Sequence, residues 1–196
     1  MKSNKSKTIV TIINSLDNYE KWESIVGKGR ILPAFPGAGG TITNDILDAA
    51  LTPRLIQPTT FSEISGKNTK RTEQLQQVNN MHIWQLCHLG MVVPLADAYY
   101  QTENPESVGK DQQVMRKTAI QFKENFKALY TNLHTLSPCK MHIFRLLPIP
   151  VLTYILSQTF KTSFGEKFMY QHAMKAPYEM KELHKQFYSC IKKRRL

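Results

Sequence analysis

The stretch "ILPAFPGAGGTITNDILDAALTP", residues 31 to 53, decides how the first third of this chain folds. A short apolar run meets Pro33 and then Phe35-Pro36-Gly37-Ala38-Gly39-Gly40. Three glycines in four positions after a strand indicate backbone that approaches something closely. A dinucleotide loop of the GxGxxG type needs a helix opening on its last glycine and an acidic residue near the end of the next strand. Here GAGG runs into the β-branched "TITND", and no GxxxxGK[ST] occurs anywhere in the sequence. Two readings stay open. The loop is a tight turn between strands, or its backbone faces a ligand at the carboxyl edge of an α/β sheet.

Working outward, "TIVTIIN" (residues 8 to 14) is a β-branched run of the kind that fills a buried strand, and it ends at Asn14-Ser15. Asp17 can cap a short helix carrying Trp22, Ile25 and Val26 on one side, and Gly27 and Gly29 stop it. "RILPAF" is a second strand, and "ITNDILDA" and "RLIQPTTFSEI" read as two more, the last closed by Ser65-Gly66. Strand, helix, strand indicates part of an α/β layer.

From Asn68 the period becomes helical. A helix starting at Thr69 or Thr72 is expected through Val78. "MHIWQLCHLGMVVPLADAYY" (81 to 100) is apolar all round, as a helix buried on every side would be, with Pro94 expected to kink it. "TENPESVG" reads as a loop, residues 110 to 133 as a long amphipathic helix, and Ser137-Pro138 as the start of another helical stretch. A last helix begins at Pro177. The expected organisation is an α/β piece over residues 1–66 and an all-α domain over 67–196.

The formal charge of +11 is concentrated at the ends, in "MKSNKSK" and "KKRRL"; without those seven basic residues the body carries +4. This argues against a nucleic-acid binder and leaves anionic small molecules open. Cys87, Cys139 and Cys190 are odd in number and widely spaced, which fits reduced thiols in a cytoplasmic protein. The most membrane-like segment, residues 143 to 160, contains Arg145, Pro148 and Pro150, and its apolar portion is too short to span a bilayer. No membrane partner is expected.

His134, Cys139 and His142 have the best metal-like spacing, yet they straddle a helix break and match no ligand pattern, so no metal is expected. No HExxH, GxSxG or Cys/His nucleophile signature is present. His88 lies four residues after Trp84 in the buried helix, with Gln85 and Asp97 as the other polar members. It reads either as a satisfied core histidine or as a residue that hydrogen-bonds a ligand or exchanges a proton at a cleft.

Taken in order, "TIIN", a helix, a strand with a small-residue loop, "TTFSEISGKNTKR" and a "W…H" helix resemble the ketopantoate reductase (2-dehydropantoate 2-reductase) family. A threonine-rich strand ending in Gly-Glu-x-x-Gly is typical there; Thr59, Thr60, Glu63 and Gly66 match it, with Ser62 replacing the first glycine. The similarity runs from about residue 8 to 100, and beyond that it is helical character alone. It implies a partial Rossmann-like α/β sheet followed by the family's helical C-terminal domain. It also implies NADPH as hydride donor, a 2-keto acid as substrate and an enzyme acid to protonate the alkoxide. By resemblance Asn14 lies near the nicotinamide, with Phe35, Gly37 and Gly39 as further candidate cofactor contacts and His88 as a candidate proton donor.

The departures matter as much. The GxGxxG segment is missing, so the pyrophosphate has no helix N-terminus to sit on. The family lysine falls on Leu86, and leucine cannot protonate an alkoxide. Gly90 and Pro94 stand where the family has asparagines. The expectation is a truncated or split family member, inactive on ketopantoate as an isolated chain and with NADP binding itself in question. A separately encoded N-terminal half or a second copy would then cover the half sheet. The other class open is a non-catalytic helical binding or dimerisation module.

Overall fold

The computed structural model describes residues 7–16, 19–52, 58–62, 75–133, 142–163 and 165–193. The chain divides into two compact units, Met1–His82 and Ile83–Leu196. A small mixed sheet belongs to the first, and helices build the second, which matches the coarse layout expected from the sequence.

In the first unit β1 (Ile9–Ile12), α1 (Tyr19–Val26) and β2 (Ile31–Phe35) make a strand–helix–strand element. Its strands pair in parallel, Ile9 opposite Ile31 and Ile12 opposite Ala34. β5 (Thr59–Ser62) adds antiparallel to β2, and β6 (Leu75–Val78) adds parallel to β5, giving the order β1-β2-β5-β6. Ile31, Ala34, Phe35, Phe61 and Val78 are buried. β1 departs from its expectation as a buried strand. It is an edge, and Val10 and Ile12 are 51% and 55% exposed. Branching at Cβ favours extended backbone whether or not the strand is covered.

α1 buries Glu23 instead of Ile25, which is 75% exposed. The reason lies beyond the helix: the Glu23 carboxylate accepts the Gly29 N–H at 2.7 Å and ties down the turn. Gly27 and Gly29 end the helix as expected, both at positive φ.

Of the glycine stretch, Gly37 lies in the tight two-residue link Pro36-Gly37 between β2 and the next strand, while Gly39 and Gly40 lie inside that strand. β3 (Ala38–Thr43) and β4 (Ile46–Leu51) form a separate two-stranded antiparallel ribbon, from Ala38 opposite Leu51 to Thr43 opposite Ile46. The turn is Asn44-Asp45, with φ of 49° and 62°, as a two-residue hairpin turn of the primed type requires. "ITNDILDA" is therefore a hairpin tip, not one strand. The close approach signalled by the glycines is internal, since a Cβ on Gly40 would lie 2.7 Å from the Asp48 carbonyl oxygen.

The helix expected through Val78 is also corrected. Residues 75–78 are β6, where pairing with β5 overrides weak local preference. The α/β unit consequently extends to His82 instead of ending at 66. Glu63, Ser65, Gly66 and the rest of 63–74 lie outside the described residues.

The second unit is organised on α2 (Met81–Tyr100), which starts two residues before the division and runs unbroken through Pro94. Trp84, Leu86, Cys87, Leu89, Val93, Ala96 and Ala98 are all buried, as the all-round apolar sequence predicts. Gly90 lets two neighbours close in: a Cβ there would meet Leu129 Cδ1 at 2.8 Å and Phe187 Cζ at 3.5 Å. A short 3-10 helix (Pro105–Lys110) replaces the expected loop and leads to α3 (Gln112–Leu133). α3 turns Val114, Met115, Phe122, Phe126 and Leu129 inward; Tyr130 is 37% exposed. α4 (His142–Leu146) brings Phe144 edge-on to Phe122, and α5 (Ile149–Phe160) buries Leu152, Leu156 and Phe160. A π-helical segment (Gly165–Tyr170), α6 (Gln171–Lys175) and α7 (Pro177–Lys193) complete the unit. α7 packs Met180, Leu183, Phe187 and Ile191, one per turn. No helix among the described residues is long and apolar enough to cross a membrane.

Candidate functional site

The parallel register puts the chain leaving β1 and the chain leaving β2 at the same carboxyl edge of the sheet. That is where α/β folds bind ligands. Asn14 stands two residues beyond β1, and Phe35, Gly37 and Gly39 follow in order at and after the end of β2. The Asn14 Oδ1 is buried and has no hydrogen-bond partner among the described residues, and neither has Thr11 Oγ1 in β1. Buried polar atoms are nearly always paired, because an orphan costs about 1–3 kcal/mol. Among the described residues Asn14 and Thr11 are thus the members of β1 and its carboxyl end with unmet bonding capacity.

The other three sheet candidates differ from it. Phe35 is buried among the core residues of the first unit. Gly37 has both backbone groups occupied: its N–H donates to Thr59 Oγ1 at 3.0 Å, and its carbonyl accepts from the Thr52 N–H at 2.8 Å. Gly39 lies inside β3 opposite Ala50.

His88 belongs to α2 in the second unit. Its ring stacks on Trp84, centroids 5.1 Å apart and planes within 7°. Burial, reinforced by the nearby His172, lowers its pKa from 6.5 to about 4, so the imidazole is neutral at pH 7. A neutral ring is a poor source of a proton for an alkoxide, and the stack gives it the character of a core histidine. Leu86, where the resemblance would place a lysine, is only 1% exposed.

One polar cluster escaped sequence reasoning. Gln121 Nε2 donates to Asp97 Oδ2 at 3.2 Å and to Tyr188 OH at 2.9 Å. Tyr188 donates in turn to Asn125 Oδ1 at 3.1 Å, and Asn125 Nδ2 donates to the Gly90 carbonyl at 3.2 Å. His184 Nδ1 reaches Asp97 at 3.1 Å. Burial raises the Tyr188 pKa, only partly offset by its bonds to Gln121 and Asn125, so the phenol stays a donor. The cluster ties α3 and α7 to α2. Its signal in the sequence was two polar pairs at i, i+4, Gln121/Asn125 and His184/Tyr188, on faces that otherwise look inward.

No group of three or more His, Cys, Asp or Glu able to hold a metal occurs among the described residues. His134 and Cys139 lie outside them, as does the side chain of His142. Compared with protein-family models, with curated proteins and with solved structures, this chain finds no significant match in any of the three.

Proposed function

We propose that this chain is a ketopantoate-reductase-like protein, in which the α/β unit presents the nicotinamide end of an NADPH-binding sheet. The observation that carries the reading is the orphaned Oδ1 of Asn14 at the carboxyl edge of a parallel strand–helix–strand element. An amide at that place can bond a carboxamide ring substituent, which offers both donor and acceptor. When bound, NADPH supplies the hydride for reduction of a 2-keto acid.

The residues present fit the nicotinamide end and not the phosphates. The sequence holds no GxGxxG, and the Gly37 backbone is already bonded within the protein. The acid is lacking as well: Leu86 occupies the lysine position, and His88 is held neutral. The chain alone is therefore proposed to bind NADPH weakly and to leave ketopantoate unreduced. Two assays check this. NADPH should perturb Trp22 or Trp84 fluorescence in the native chain and markedly less in Asn14→Ala. Consumption of NADPH with ketopantoate should stay at background. Equal binding by Asn14→Ala removes the reading, and robust turnover removes the claim of inactivity.

A second reading, a non-catalytic binding or dimerisation module, is favoured by the ribbon. Ile42, Ile46, Leu47 and Leu51 are all 65% or more exposed on β3 and β4, and an isolated two-stranded ribbon is marginally stable. Light scattering of the purified chain separates the readings: a concentration-dependent dimer without NADPH binding supports the module.

A further inference from the structure

Within the helical unit a cleft of about 390 Å³ opens between the 3-10 helix, the end of α5 and Tyr170. This is the size range of small-molecule sites. Its walls are aromatic. Tyr99 packs 5.0 Å from Phe160 and 5.5 Å from Tyr170, centroid to centroid. Burial raises the Tyr99 pKa, so its phenol stays protonated, and it donates to the Gly165 carbonyl at 3.1 Å. The frame is fixed by Ser157, whose hydroxyl donates to the Gly109 carbonyl at 2.5 Å.

Lys110 and Lys161 both line this cleft, and neither forms a salt bridge among the described residues. The C-terminal carbonyls of α5, which would otherwise repel an anion, are already engaged. Thr159 O accepts from the Thr162 N–H at 3.1 Å and from its hydroxyl at 2.7 Å, and Gln158 O accepts from the Lys161 N–H. Among the described residues that line the cleft one is a carboxylate, Glu106, which accepts from the Tyr170 hydroxyl at 3.5 Å. The balance of charge at the cleft is positive.

We propose that this cleft binds a small organic anion with a flat ring, its carboxylate or phosphate between Lys110 and Lys161 and its ring against Tyr170, which Tyr99 backs from the core. Ammonium groups on the rim select the charge, and aromatic faces select a planar body. The site's lining lies wholly in the second unit.

Calorimetric titration of the full chain tests it with three probes: AMP (ring and phosphate), 1-naphthoate (ring and carboxylate) and adenosine (ring without the anion). Expected is binding of AMP, 1-naphthoate or both, the comparison distinguishing phosphate from carboxylate, with adenosine about tenfold weaker or undetectable. Lys110→Ala and Lys161→Ala should each weaken the anion about fivefold. Lys185→Ala, on α7, should leave it unchanged. Failure of both anions to bind overturns the proposal. So does binding that survives both cleft substitutions, or adenosine binding equal to AMP. The lysines are exposed, so unchanged circular dichroism of the variants confirms that a loss is local.

Discussion

The two units bury apolar side chains to different extents. The helical unit turns nearly the whole of α2 inward and closes α3, α5 and α7 with buried aromatic and aliphatic residues. The α/β unit leaves Val10, Ile12 and Ile13 exposed at or beside its edge strand, and four large aliphatics exposed on its ribbon. A helix satisfies its own backbone and needs neighbours only for one face. An edge strand leaves backbone donors and acceptors unpaired as well. The difference teaches that the helical unit holds the larger buried core, although it too leaves large apolar side chains exposed, Ile143, Leu146 and Tyr154 on α4 and α5 among them.

The largest way to break that comparison is Phe126→Ala. Phe126 is fully buried and packs against Phe122 and Phe144. Its truncation should cost about 3–5 kcal/mol in urea unfolding followed by circular dichroism. Leu47→Ala on β4 should cost less than about 0.5 kcal/mol, since the side chain is 65% exposed. Equal costs would show that the two regions are not differently built.

His88 gives the next effect. Its folded pKa is about 4 against 6.5 when unfolded, so between those values the unfolded chain binds a proton that the folded chain does not. Stability should therefore rise with pH from about 4 to 6.5 and level off outside that window, the His88 share amounting to about 3 kcal/mol. His88→Gln should flatten this slope; an unchanged slope would assign it to other groups.

Tyr188→Phe is smaller. It keeps the ring beside Phe187 but removes the donor to Asn125 and the acceptor for Gln121. About 1–2 kcal/mol should be lost. Smallest in stability is the double substitution Ile42→Ser and Leu47→Ser, within about 0.5 kcal/mol, with self-association falling in light scattering.

What was legible in the sequence follows the same division. The largely apolar twenty-residue run of α2, Pro177 at the first turn of α7 and the Met180-Leu183-Phe187-Ile191 spacing each mark a helix by a rule that local sequence satisfies. The sheet depended on partners far along the chain. Leu75-Gln76-Gln77-Val78 carries no strong strand signal and becomes β6 only because β5 pairs with it. Asn44-Asp45 supplies two positive φ angles without a glycine, so the hairpin lay hidden in what looked like one strand. Glu23 is buried for the sake of Gly29, six residues on. At the candidate site Asn14 was visible through the family resemblance, but its orphaned oxygen is a property of three dimensions. The buried cluster around Tyr188 joins three helices, and no single stretch of sequence contains it.

The central claim is that Asn14 is a nicotinamide contact, and NADPH titration of the isotopically labelled chain, read by NMR at the Asn14 side-chain amide, tests it most directly. Expected is a saturable shift of that amide and of the backbone of residues 12–16, absent with AMP. No movement of the Asn14 amide at saturating NADPH, or shifts confined to the helical unit, would contradict it.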